Sequence, residues 1–202
     1  MGGADPLDRL TKALAQPASA SSDYDLLARP DLRPRPKSLR PAAVLVAVQP
    51  DAVGGPNLVL TKRASGLRHH PGQIAFPGGK IDAADASPEA AALREATEEV
   101  GLSPTAVDVL GRLPCHETVT GFSIQPVVGL VSGPFEARAD MAEVSEVFAV
   151  PLAHLLEPEN YRVERRRWLG EWRAYWAVPW GPYYIWGATA RILRGLAEGS
   201  GK

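Results

Sequence analysis

The chain has 202 residues, a formal net charge of -1, 45% hydrophobic and 22% charged residues, and a single cysteine, Cys115. That length suits one well-buried domain and is short for two, and the near-neutral charge argues against nonspecific attraction to nucleic acid or membrane. One cysteine excludes an internal disulfide framework and fits a reducing compartment. The amino terminus carries Asp5 and Asp8 instead of the basic-then-apolar order of a signal peptide, and no apolar run approaches the roughly 20 residues of a membrane helix. The expectation is a cytoplasmic protein, monomeric or homodimeric, with no membrane contact.

Residues 1–40 read as an extension. Pro6, Leu7, Leu10 and Leu14 space out a short amphipathic helix, and Pro30, Pro34, Pro36 and Pro41 follow as a tract that cannot be helix interior. Residues 41–198 read as the folded domain. Apolar segments 42–48, 58–62, 107–113, 124–131 and 147–150 predict strands, interleaved with one strong helix over 88–100, which is the pattern of a mixed α/β fold.

After the 58–62 strand come Arg63, Arg68, His69 and His70. Arginine suits phosphate because its planar fork donates paired bonds, although basic residues in a loop also serve simply to solvate it. Phe76-Pro77-Gly78-Gly79-Lys80 then forms a turn that brings bare backbone close to its neighbours.

The predicted helix is sharply bounded: Ser87 is an N-cap, Pro88 occupies the first turn, and Gly101 supplies the left-handed terminator. Glu98 and Glu99 lie three and four positions after Glu95, so the three carboxylates are expected on one face and Leu93, Ala96 and Val100 on the other. Like charges at these spacings cost roughly 0.2–0.5 kcal/mol per pair, and carboxylates in the last turn also oppose the helix dipole. A solvated acidic face with Arg94 pairing to Glu98 is one reading. A hard divalent cation is the other, because Mg²⁺ takes oxygen ligands from a few carboxylates plus substrate phosphates and reverses both penalties.

The Gly-rich turn followed by Arg94-Glu95-Ala96-Thr97-Glu98-Glu99-Val100-Gly101-Leu102 resembles the signature of the Nudix hydrolases, which cleave diphosphates linked to a nucleoside. Relative to the family pattern, Gly79 and Asp85 each sit one position early, so the loop is one residue longer. That departure, Gly78-Gly79-Lys80-Ile81-Asp82-Ala83-Ala84-Asp85, resembles one branch, the coenzyme A pyrophosphatases. The upstream run from Leu60 to Gly79, with Arg63, Arg68 and His70 inside it, is similar to the element that marks this branch, and His69 is read as incidental to it. Looser similarity continues through Val119-Thr120-Gly121-Phe122, Glu146 to Leu152, and Ile185 to Ala190.

The resemblance implies an α/β/α sandwich with a mixed sheet and the metal-binding helix packed on it. It also implies that Glu95, Glu98, Glu99 and a carbonyl near Gly79 hold Mg²⁺ or Mn²⁺. Arg94 orients the glutamates, Arg63, Arg68 and His70 bind substrate, and the general base is Glu98, Glu99 or Glu143. The substrate implied is coenzyme A, a small nucleotide, yielding 3′,5′-ADP and 4′-phosphopantetheine. Two alternatives stay open: a hydrolase of ADP-ribose, NADH or dinucleoside polyphosphates, and a non-catalytic nucleotide sensor.

All five tryptophans fall between Trp168 and Trp186, interleaved with Arg165, Arg166, Arg167 and Arg173. Such interleaving suits base stacking on single strands. The preferred reading is a β-hairpin turning near Leu169-Gly170-Glu171, followed by a packing helix over 187–196, and no nucleic-acid partner. Other chemistries fail on their motifs. Ile74 and Ile81 break a phosphate-binding loop around Gly79-Lys80, and Cys115 and His116, adjacent in a strand, point to opposite faces.

Overall fold

The computed structural model describes residues 4–27, 38–50, 54–67, 70–133, 135–168 and 170–201. Arg68, His69, Pro30, Pro34, Pro36 and Leu169 therefore lie outside the described residues. The elements are α1 (Pro6–Ala15), β1 (Ser21–Ser22), β2 (Arg40–Gln49), β3 (Asn57–Arg63), β4 (Ile74–Ala75), β5 (Gly78–Lys80), α2 (Pro88–Val100) and β6 (Val107–Arg112). They continue as β7 (His116–Glu117), β8 (Phe122–Val131), β9 (Val144–Pro151), α3 (Leu152–Leu155), β10 (Arg162–Trp168), β11 (Glu171–Trp180), β12 (Tyr183–Trp186) and α4 (Ala188–Ser200).

β2 is the axis of the large mixed sheet. It runs parallel to β8 and antiparallel to β3 and β5, while β9 pairs with the far side of β3. Because successive strand residues alternate faces, β2 feeds two cores at once. Ala43, Leu45 and Ala47 pack with Ala91, Ala92, Ala96 and Val100 of α2 on one side. Val46 and Val48 pack with Leu10 of α1, Leu152 and Leu155 of α3 and Leu193 of α4 on the other. The result is helix, sheet, helix, as the family resemblance implied. Small alanines facing the sheet let α2 approach it closely.

The five expected strands are all present and most extend further than their apolar cores, because ladder bonds to neighbours carry the backbone past the last apolar residue. α2 spans the predicted residues, with Ser87 Oγ accepting from the Ala90 N–H and Gly101 at φ 72°. Its faces differ from expectation. Leu93 is only half-buried, and Glu99 shares the buried face with Ala92 and Ala96. Helical residues step by about 100°, so Glu98 and Glu99 diverge to opposite flanks of Glu95 instead of sharing one direction.

The first helix, expected within an extension, joins the main core: Leu10 is fully buried and Ala13 nearly so. The 162–186 region forms its own three-stranded antiparallel sheet, β10-β11-β12, turning beside Gly170. β1, β4, β5, β7 and β12 carry no periodic apolar signal, being two to four residues long, and were invisible to pattern reading. No helix among the described residues is long and apolar enough to cross a membrane.

Candidate active site

The site forms where β5 lies against the second half of α2. Gly78 and Gly79 pair with Val44 and Ala43 of β2, which places bare backbone directly beneath the glutamates. Gly78 has φ 153°, and a Cβ there would stand 2.5 Å from the Ala43 carbonyl oxygen. A Cβ on Gly79 would meet the Glu95 carboxylate, 2.5 Å from Cδ. These glycines are thus required by contact with the sheet and with Glu95 respectively, the close approach of bare backbone that the turn implied.

The three carboxylates occupy graded environments. Glu99 is 4% exposed and accepts the Gly78 N–H through Oε2 at 3.1 Å. Burial pushes its carboxyl up to about 7, Glu95 and Glu143 add to the rise, and the Gly78 N–H and the Arg63 charge oppose it. Glu95 is also raised, first by burial and then by the charges of Glu98 and Glu143, against the pull of Arg94. The Glu98 side chain is 60% exposed.

Arg94 gathers this group. Its Nη1 donates to Glu95 Oε1 at 2.9 Å and Glu98 Oε2 at 3.2 Å, and Nη2 donates to the Lys80 carbonyl at 3.1 Å. The remaining donors grip Asp85, Nε to Oδ1 at 3.0 Å and Nη2 to Oδ2 at 2.9 Å. Both pKa values move in the direction that strengthens the pair, Arg94 up and Asp85 down, with their mutual hydrogen bonding the largest cause for each. Sequence reasoning saw Asp85 only as one position out of register. The partner of Arg94 became visible once the loop closed.

Arg63 ends β3 at a register shift and lies close enough to Glu99 for its charge to act there. Its backbone is anchored on both sides, the N–H to Gln73 and the carbonyl from Gly72. His70 is exposed at the tip of the same loop with φ 55°, a left-handed conformation uncommon for residues other than glycine. No described contact brings its side chain to the glutamates. Glu143 is exposed, and its carbonyl accepts the Ala64 N–H at 2.8 Å, tying the segment before β9 to the end of β3. Its charge acts on both Glu95 and Glu99. Cys115 and His116 do diverge: Cys115 is exposed and His116 is fully buried between Ser21 and Asp23.

The donor chemistry suits a hard divalent cation. Glu95, Glu98 and Glu99 offer carboxylate oxygens, two of them in surroundings that disfavour their charge, and the glycine strand opposite leaves the space a side chain would fill. Among the described residues no three acidic, His or Cys groups yet converge at ligand distance, since Glu95 and Glu98 are turned onto Arg94.

Comparison with known proteins identifies the family. A model of the NUDIX domain matches residues 39–178. A Salmonella dublin protein described as the uncharacterized Nudix hydrolase NudL is 47% identical over 181 residues, covering 87% of this chain and 90% of its own. Its counterpart from Cronobacter sakazakii is 46% identical with the same coverage. Among solved structures, the M. smegmatis Nudix hydrolase RenU is 25% identical over 56% of this chain and 71% of its own, with a TM-score of 0.48. The chain therefore belongs to the Nudix family and is a hydrolase of the nucleoside diphosphate class.

Proposed function

We propose that the substrate is coenzyme A or a derivative of it, hydrolysed at its diphosphate to 3′,5′-ADP and 4′-phosphopantetheine in the cytoplasm. The observation that carries this reading is the position of Arg63. The Leu60 to Gly79 motif folds back on itself, so that its arginine lies within electrostatic reach of the buried Glu99 while its glycines line the same site. A diphosphate bound there meets a guanidinium fork on one side and the glutamates on the other.

Glu95, Glu98 and Glu99, with the Gly79 carbonyl, would hold Mg²⁺ or Mn²⁺. Bound there, the cation supplies charge neutralisation and acidifies an attacking water. Arg94 fixes the rotamers of Glu95 and Glu98 and is itself held by Asp85. Arg63 receives phosphate oxygens. The resemblance of the motif assigns Arg68 and His70 to substrate binding as well. Glu143, exposed and within electrostatic reach of Glu95 and Glu99, joins Glu98 and Glu99 as a proton acceptor at the open side of the site.

The test is incubation with Mg²⁺ and, in parallel, coenzyme A, ADP-ribose, NADH and dinucleoside polyphosphates, reading products by mass, with Glu98→Gln as control. Release of 3′,5′-ADP from coenzyme A in preference to products from the others supports the proposal. Preference for another compound removes the coenzyme A assignment and leaves the glutamate site standing. Tight nucleotide binding without turnover would make the protein a sensor.

A further inference from the structure

The hairpin accounts for only one face of the tryptophan and arginine-rich region. Val178 and Ile185 are fully buried, and Trp176, Trp180 and Tyr183 pack against the same core, so this face of β11 and β12 is consumed by folding. The strand register places a different set outward. Arg166 lies directly opposite Arg173, Glu164 opposite Tyr175, and Ala177 opposite both Arg162 and Trp186. Tyr184 joins this face, its hydroxyl 3.2 Å from that of Tyr175, and the Tyr175 and Trp186 rings are 5.1 Å apart.

Like charges directly opposite across a strand pair destabilise it, so the Arg166 and Arg173 pair does nothing for the hairpin itself. By register Arg162, Arg166 and Arg173 share the outward face with Glu164, whereas Arg165 and Arg167 alternate to the other. Arg162 pairs with Glu164 at 2.9 Å, whereas no carboxylate among the described side chains stands at ion-pair distance from Arg166 or Arg173. The overall charge of -1 conceals this by averaging a basic ribbon with an acidic remainder.

We propose that the outward face of β10, β11 and β12 binds single-stranded RNA, the arginines tracking the phosphates and Tyr175, Tyr184 and Trp186 offering stacking surfaces to bases. A sheet face with aromatics on neighbouring strands, beside Arg166 and Arg173 with no ion-pair partner among the described side chains, combines the two elements that sequence-tolerant single-strand binding uses. A bilayer fits this face less well, because Tyr175 and Trp186 are half-buried and the exposed Tyr184 pairs its hydroxyl with that of Tyr175, leaving no apolar cap to insert. The proposal is independent of which diphosphate the glutamate site cleaves.

The experiment is fluorescence anisotropy of a labelled oligouridylate titrated with the full chain across a range of salt, beside phosphatidylglycerol vesicles and polyglutamate. Binding is expected with Kd of roughly 1–100 μM at physiological salt. The variant R166Q/R173Q should lose at least about tenfold and lower the salt slope by about 1.4. Tyr184→Ala should lose about tenfold with the slope unchanged, since stacking carries no counterion release. Circular dichroism checks folding, and removing like charges from the hairpin should leave it intact. No RNA binding at low salt, equal binding by the double variant, or tighter binding to vesicles or polyglutamate would overturn the proposal.

Discussion

Asp85 and Arg94, nine residues apart, meet through a two-pronged ion pair, Nε to Oδ1 at 3.0 Å and Nη2 to Oδ2 at 2.9 Å, with the Asp85 side chain only 7% exposed. The same guanidinium reaches Glu95 and Glu98 with its other terminal nitrogen. Asp85→Asn should therefore weaken the metal dependence of hydrolysis by about 10–100-fold, the scale typical of residues that orient ligands. Arg94→Lys should not preserve activity, since a point charge cannot serve Asp85 and two glutamates in one plane. Metal titrations of turnover check both. An unchanged metal requirement in Asp85→Asn would remove the positioning role.

Glu99 keeps a carboxylate where burial opposes its charge, with one backbone N–H as its hydrogen-bond donor. Glu99→Gln should cost more than about 100-fold in turnover and yet raise the stability of the metal-free protein by about 1–2 kcal/mol. Denaturant melts in chelator, set against activity with Mg²⁺, test this opposition. A less stable variant would mean that the Arg63 charge already compensates the burial.

The two glycines of β5 should respond differently to alanine. Gly78→Ala sets a Cβ against the backbone of Ala43 and Val44 at a positive φ, so destabilisation of about 2–4 kcal/mol is expected. Gly79→Ala meets only the end of the flexible Glu95 side chain, so the fold should survive and activity should fall. Thermal melts and turnover on the same preparations separate the two effects.

Glu89 and Arg112 link the first turn of α2 to β6, Nη2 donating to Oε2 at 2.7 Å. The arginine's hydrogen bonding holds the Glu89 carboxyl down at about 2, against an ordinary 4.5. A depressed folded-state pKa means stability that is present above pH 4.5 and lost as pH falls towards 2. Glu89→Gln should therefore be less stable than the parent at neutral pH, with the difference closing through that window. The effect should be small and salt-sensitive, because Arg112 is half-exposed. A stability gap that persists at pH 2 would assign the loss to packing.

Leu10 is completely buried against the α4 side of the sheet. Leu10→Ala should destabilise the whole domain by about 2–5 kcal/mol. Unfolding followed by tryptophan fluorescence, whose probes all lie in 168–186, reports on this at a distance. A loss confined to local fraying would return the first helix to the status of an extension.

The sequence alone determined what depends on local spacing. The limits of α2 follow from Ser87, Pro88 and Gly101, and the long strands follow from their apolar runs, because caps, turns and periodicity act between residues a few positions apart. The glutamate cluster and the family signature were legible for the same reason. Tertiary structure decided what depends on contacts across the chain. The grading of Glu95, Glu98 and Glu99 arises from how α2 rolls onto β2, which a helical wheel with no partner does not specify. Asp85 acquired a partner when its loop folded onto Arg94, and Arg63, at a register shift, came within electrostatic reach of Glu99. The burial of Leu10 and the division of the tryptophan-rich sheet into a packed and an open face likewise follow from which surfaces meet, and burial is a property of the folded whole.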